Sequence, residues 1–359
     1  MSTRIVTLPG DGIGPEIMEA GLRVLAAAAQ QGGFEYSADE HPFGGAGIDA
    51  CGSPYPEATR VAVHEADAVL LAAIGGPAWD DAPDRPEAGL LRMRQDLGLF
   101  ANLRPTRVTA ARAGRSPLRP EIVAGADFVI VRELTGGIYF GQPRRLGDDE
   151  AFDTMRYRRD EIERIARVAF ETARTRRGRV TLVDKANVLA SSKLWRRVVG
   201  EVAVEYPDVH QDAMYVDAAA MKLVSDPRRF DVILTENLFG DILSDEAAEI
   251  TGSLGTIPSQ SRGASGPAVY EPIHGSAPDI AGQGIADPIS MIASVSLMLR
   301  GSVGRADVAD RIDAAVDAAV SAGEITPDLG GTATTTEATD AIIRHLSTEF
   351  SKGAHDDQH

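Results

Sequence analysis

Short apolar strands alternate with helical segments along nearly the whole of this chain, and that alternation constrains its fold more than any other feature. Ala66 to Ile74 (ADAVLLAAI), Phe128 to Val131 and Phe230 to Thr235 read as buried strands, and each gives way to a glycine turn or a helical pattern. The expected class is therefore α/β, although periodicity does not give the strand order. One of these units carries more than packing. In Phe230 to Glu246, FDVILTENLFGDILSDE, Gly240 is expected to open a helix with Asp241 and Asp245 four residues apart on one face. Like charges at that spacing cost a helix roughly 0.2–0.5 kcal/mol, so the pair reads either as a solvated acidic face or as two ligands awaiting a cation.

At 359 residues, 43% hydrophobic and 25% charged, the chain has the length and balance of a two-domain globular protein. Its net charge of −17 argues against nucleic acid or an anionic membrane as partner, so an anionic substrate must be held by locally clustered arginines. Cys51 is the only cysteine, which excludes a disulfide within one chain. The start MSTRIVTLPG lacks the apolar core of a secretion signal, and no apolar run approaches the ~20 residues of a membrane helix. A cytoplasmic location is the expectation.

Gly10, Gly12 and Gly14 form GxGxG, not the GxGxxG of a dinucleotide fingerprint. The motif reads either as a tight strand-to-helix turn or as a backbone that approaches a ligand closely. The stretch PEAGLLRMRQDLGLFANLRP offers Leu90, Leu91 and Arg94 on a helical run, then Arg104 in an extended turn. Arg132 closes a strand, and the Gly136–Gly137 turn after it presents Tyr139. Lys185 follows an apolar strand, where desolvation can lower the pKa of an ammonium. Asp217 closes another short strand. The segment Glu271 to Pro288 is rich in small residues and looks like a binding loop, Thr334 and Glu337 have capping-box spacing, and residues 351–359 read as a polar tail.

Three aspartates, Asp217, Asp241 and Asp245, suit a hard divalent cation such as Mg²⁺ or Mn²⁺, and three arginines, Arg94, Arg104 and Arg132, suit carboxylates. With Tyr139 and Lys185 as proton donor and base, the set fits a dicarboxylic hydroxy acid that is oxidised and then decarboxylated. LPGDGIGPEI, RELTGGIYFG, DKANVL, ENLFGDILSD, HGSAPDIAG and TPDLGG, in this order, resemble the β-decarboxylating dehydrogenases of the isocitrate/isopropylmalate dehydrogenase family, over nearly the whole chain.

The resemblance implies a two-domain α/β fold that is not a standard Rossmann domain. It implies one domain from residues 1–99 and 252–350, a second from residues 100–251, and a homodimer with Lys185 and Asp217 reaching into the partner's site. Arg94, Arg104 and Arg132 would hold the substrate, Asp217, Asp241 and Asp245 the metal, with Asp217 also near the substrate. Lys185 would deprotonate the hydroxyl, and Tyr139 would protonate the enolate. Ile13, Glu87, Glu271, His274, Gly275, Ser276, Ala277, Asp279, Ile280 and Asp287 would line the nicotinamide cofactor. Asp287 stands where the family usually has asparagine.

Within that family, Leu90 and Leu91 favour an isopropyl group over a third carboxylate, at about 0.8 kcal/mol per buried CH₂, so isopropylmalate of leucine biosynthesis is the expected substrate. Asp279 would accept a ribose hydroxyl and repel a 2′-phosphate, which predicts NAD. The alternatives are a sister activity on malate or tartrate and a non-catalytic regulatory subunit.

Overall fold

The computed structural model describes residues 2–356. The chain forms two compact units, one built from residues up to Gly98 and from Ser253 onward, the other from Leu99–Gly252. Both are α/β, and no helix among the described residues is long and apolar enough to cross a membrane.

In the first unit the strand order is Tyr36–Glu40, Thr3–Gly10, Ala68–Ala73, Ala268–Pro272, Pro258–Arg262. The first four are parallel and the last is antiparallel to its neighbour. Ala68–Ala73 is buried at every residue, as a strand covered on both faces must be. The helix Gly14–Gly32 starts with Pro15 in its first turn and buries Ile17, Ala20, Val24 and Ala28 along one face. Ile289–Met298 is buried almost throughout. In the helix Thr335–Asp356 the capping box forms: Thr334 N–H donates to Glu337 Oε2 at 2.8 Å, and Glu337 N–H to Thr334 Oγ1 at 3.2 Å. That helix takes in residues 351–356, where a polar tail was expected. Ser351 and Lys352 are exposed polar residues that extend a formed helix at little cost, and Lys352 pairs with Glu349 one turn back. Residues 357–359 lie outside the described residues.

The second unit has strand order Ala101–Arg107, Asp127–Glu133, Val232–Thr235, Arg179–Asp184, His210–Tyr215, the first pair antiparallel and the rest parallel. Alternate residues point to opposite faces. Val129 and Val131 share a core with Ile162, Ile165 and Phe170 of helix Arg159–Arg174 and with Trp195 and Val199 of helix Ala190–Ala203. Phe128 and Ile130 share the other core with Ala219 and Leu223 of helix Val216–Ser225 and with Leu243 and Ala247 of helix Asn237–Ile250. Phe128 and Phe230, both without exposed surface, meet edge to face with centroids 6.2 Å apart. Phe230→Ala should therefore cost about 3–5 kcal/mol, read as a lower denaturant midpoint at unchanged m. A loss below about 1 kcal/mol would mean this ring pair does not hold the layer together.

Two element boundaries depart from expectation. Asp217 lies in the first turn of a helix that begins at Val216, not at the end of a strand. The helix bearing Asp241 begins at Asn237, not Gly240, because the side chain of Glu236 accepts from the N–H groups of Leu238 (3.2 Å) and Phe239 (2.9 Å) and so caps it.

Candidate active site

Antiparallel pairing of Ala101–Arg107 with Asp127–Glu133 sets Asn102 opposite Arg132 and Arg104 opposite Ile130, so both arginines belong to one patch of sheet. The helix Asn237–Ile250 crosses Arg132 at Gly240. A Cβ there would come within 2.6 Å of Arg132 Cγ, so glycine serves close packing and not a turn.

Asp241 is the centre of the resulting cluster. Its Oδ1 accepts from Arg132 Nη1 at 2.5 Å, its Oδ2 accepts from the Tyr139 hydroxyl at 2.7 Å, and Arg104 Nη2 stands 3.8 Å away. Arg104 reaches Asp245 at 3.1 Å, Ser244 Oγ at 2.7 Å and Asn102 Oδ1 at 2.8 Å. Two carboxylates, two guanidiniums and a phenol thus meet, with Arg132 only 4% exposed. Burial, and then the hydrogen bond and charge of Asp241, push the Tyr139 pKa up to about 12. The phenol keeps its proton across the neutral range and can donate it.

Lys185 and Asp217 pair with each other at 2.5 Å, and Lys185 pulls the Asp217 carboxyl below its usual range. The Lys185 side chain is half-buried and its ammonium faces a carboxylate. Among the described residues no three metal-binding side chains gather in one chain. Asp241 and Asp245 stand together around Arg104, while Asp217 is engaged by Lys185.

The other expected residues lie in the first unit. Arg94 pairs with Glu271 at 3.2 Å, and its Nε is buried without a partner, an orphan donor that suits an anionic oxygen. Leu90 is half-buried and Leu91 exposed, Glu87 exposed and close to Gly75. In the loop after Glu271, His274 has a buried Nε2 with no partner, and burial lowers its pKa, favouring the neutral imidazole. Ser276 donates to the Gly75 carbonyl at 2.8 Å and accepts from Ile13 N–H at 2.8 Å through its own carbonyl. Ala277 adopts φ +39°, a left-handed conformation costly for a residue with a Cβ. Asp279 and Gly275 are exposed, and Ile280 is half-buried. Asp287 Oδ1 accepts from Ile289 N–H at 2.9 Å, where a carboxylate suits the start of a helix.

Gly10, Gly12 and Gly14 form a tight turn. A Cβ at each would lie 1.9–2.0 Å from the carbonyl oxygen of Ala73, Ser276 or Pro9. The close approach is between parts of the same chain. Sequence reasoning missed Asp11, which accepts from the N–H groups of Gly45, Ala46 and Gly75 at 2.7–2.8 Å and joins three turns. Burial outweighs those donors and raises its pKa. It also missed Asn102, Ser244 and Asn237 around the arginines. Asn237 alone left a trace, as part of a polar TEN triplet between two apolar runs.

Residues 4–342 match the isocitrate/isopropylmalate dehydrogenase family model. A 3-isopropylmalate dehydrogenase of Listeria monocytogenes is 56% identical over 346 residues, 96% of this chain and 99% of that protein. One of Streptococcus thermophilus is 58% identical over 96% of this chain and all of that protein. Among solved structures, isocitrate dehydrogenase from Methylococcus capsulatus superposes with TM-score 0.85 at 36% identity, covering 96% of this chain and 99% of that one. A β-decarboxylating dehydrogenase from Thermococcus kodakarensis gives TM-score 0.82 at 40% identity, covering 96% of each chain.

Proposed function

The chain belongs to the isocitrate/isopropylmalate dehydrogenase family, and from that premise we propose that it oxidises and decarboxylates 3-isopropylmalate to 4-methyl-2-oxopentanoate, with NAD as acceptor, in leucine biosynthesis. The convergence of Arg104, Arg132, Tyr139, Asp241 and Asp245 carries the assignment. Full-length relatives of that activity at 56–58% identity support it.

Asp241 and Asp245, with the partner subunit's Asp217, offer the hard oxygen donors that Mg²⁺ or Mn²⁺ prefers. When bound, the cation supplies a Lewis acid toward the substrate oxygen and NAD supplies the hydride acceptor. Arg94, Arg104 and Arg132 hold the two carboxylates, with the unpartnered Arg94 Nε as one available donor. Lys185 of the partner subunit takes the hydroxyl proton as the alcohol becomes a ketone. After CO₂ leaves, the phenol of Tyr139 returns a proton to the enolate, a role its elevated pKa suits. Leu90 and Leu91 line the isopropyl side.

A homodimer follows from the same reading. Near Lys185 and Asp217 in sequence, Val188 and Met221 are each 64% exposed, and Ile242 beside Asp241 is 59% exposed, large apolar side chains that a second copy would cover.

NADH formation from racemic 3-isopropylmalate, with and without a chelator, tests the activity. Metal-dependent turnover is expected, and kcat/KM below that for malate or tartrate would overturn the substrate assignment. For the cofactor, Asp279→Lys should raise the NADP-to-NAD ratio of kcat/KM about tenfold or more by exchanging repulsion of the 2′-phosphate for attraction. An unchanged ratio removes Asp279 from cofactor choice.

A further inference from the structure

Asn237 is 1% exposed and occupies the first position of the helix that carries Asp241 and Asp245. Its side-chain nitrogen donates to the Gly136 carbonyl at 3.2 Å, which leaves the amide oxygen facing the opposite way. That oxygen accepts from Arg132 Nε at 3.1 Å and from Nη2 at 2.8 Å, and the backbone carbonyl of Asn237 takes Nε as well, at 3.1 Å. Asn237 is anchored in turn. Its N–H donates to the Tyr157 hydroxyl at 2.9 Å, and that hydroxyl donates to Glu236 at 3.0 Å.

A guanidinium recognises a carboxylate through a planar fork, so its value depends on which way the plane faces. One oxygen that grips two adjacent donors of Arg132 fixes that plane, and turns the Nη1 side toward Asp241. A water molecule or a flexible side chain would satisfy the same donors without setting the orientation. We infer that Asn237 is a positioning residue: it touches no substrate, but sets the plane in which Arg132 meets a substrate carboxylate. The inference rests on the dehydrogenase assignment above.

A double-mutant cycle tests it with wild type, Asn237→Ala, Arg132→Lys and the double variant. Asn237→Ala should raise KM for 3-isopropylmalate about tenfold or more, the scale of hydrogen bonds to a charged group, and leave KM for NAD within about twofold. Lysine has no fork to orient, so in the Arg132→Lys background the same substitution should change KM for 3-isopropylmalate by less than about twofold. Equal effects in both backgrounds, or an equal rise in KM for NAD, would mean that Asn237 merely supports the fold, and overturn the role. If Asn237→Ala does not fold, Asn237→Leu keeps the volume, loses the same bonds, and is read through the same cycle. An inactive wild type overturns the dehydrogenase assignment and this role with it, whereas an active wild type with additive substitutions overturns the role alone.

Discussion

Lys185→Ala should reduce kcat about 10³-fold, the usual worth of a positioned general base, while KM for NAD stays close to that of wild type. The sharing of sites makes a stronger version of this result. Lys185 pairs with Asp217 in its own chain, and Asp241 meets Arg132 and Tyr139 in another part of the same unit. If each site takes its lysine from the second copy, Lys185→Ala and Asp241→Asn homodimers are both inactive, but a mixed dimer contains one site with neither substitution. Refolding the two variants together should therefore restore about a quarter of wild-type activity: half the dimers are mixed, and each has one of two sites intact. No recovery on mixing would place Lys185 and Asp241 in the same site of the same chain.

If Asp241 holds the cation as proposed, Asp241→Asn should lower catalytic efficiency roughly a hundredfold or more, since it weakens that ligand and alters the acceptor of Tyr139 at once. It should also leave a signature independent of turnover. The phenol pKa stands at about 12, first because its surroundings partly desolvate the hydroxyl and then because ionisation would set a second negative charge beside the Asp241 carboxylate. Removing that carboxylate takes away the second cause and leaves the first, so the pKa falls toward the ordinary tyrosine value without reaching it. The sign is fixed: tyrosinate absorbance appears at lower pH in Asp241→Asn than in wild type. Subtracting the titration of a matched Tyr139→Phe protein isolates this phenol from the other six tyrosines. A shift upward would show that Asp241 does not face Tyr139 in solution.

The α/β class was legible in the sequence, because Phe128 to Val131 is a short apolar run and helix Arg159–Arg174 repeats its apolar residues at helical spacing, whereas the division of that strand between two cores was not, since all four of its residues are apolar. Helix starts were less so. Gly240 resembles a helix opening, yet it is glycine because the backbone passes over Arg132, a contact across more than a hundred residues that no local pattern encodes. The cap that does open the helix is Glu236, an uncommon choice at that position. Arg104, Arg132, Tyr139 and Asp241 could be singled out as residues, but their partners Asn102, Ser244 and Asn237 could not. A neutral amide or hydroxyl has no distinctive periodicity, and its meaning comes only from the charge it faces after folding. Lys185 shows the converse: its place after an apolar strand pointed to desolvation, but that local pattern does not give the carboxylate from the next strand–helix junction that is its neighbour.

The three crowded glycines near the amino terminus have a consequence for how such proteins are recognised at all. At Gly10, Gly12 and Gly14 even a methyl group would collide with a carbonyl oxygen, so mutational scanning should find these positions among the least permissive in the chain with or without nucleotide in the medium. Pattern searches that equate a glycine-spaced strand–helix junction with a phosphate cradle would credit these three positions with a selection that steric necessity already explains.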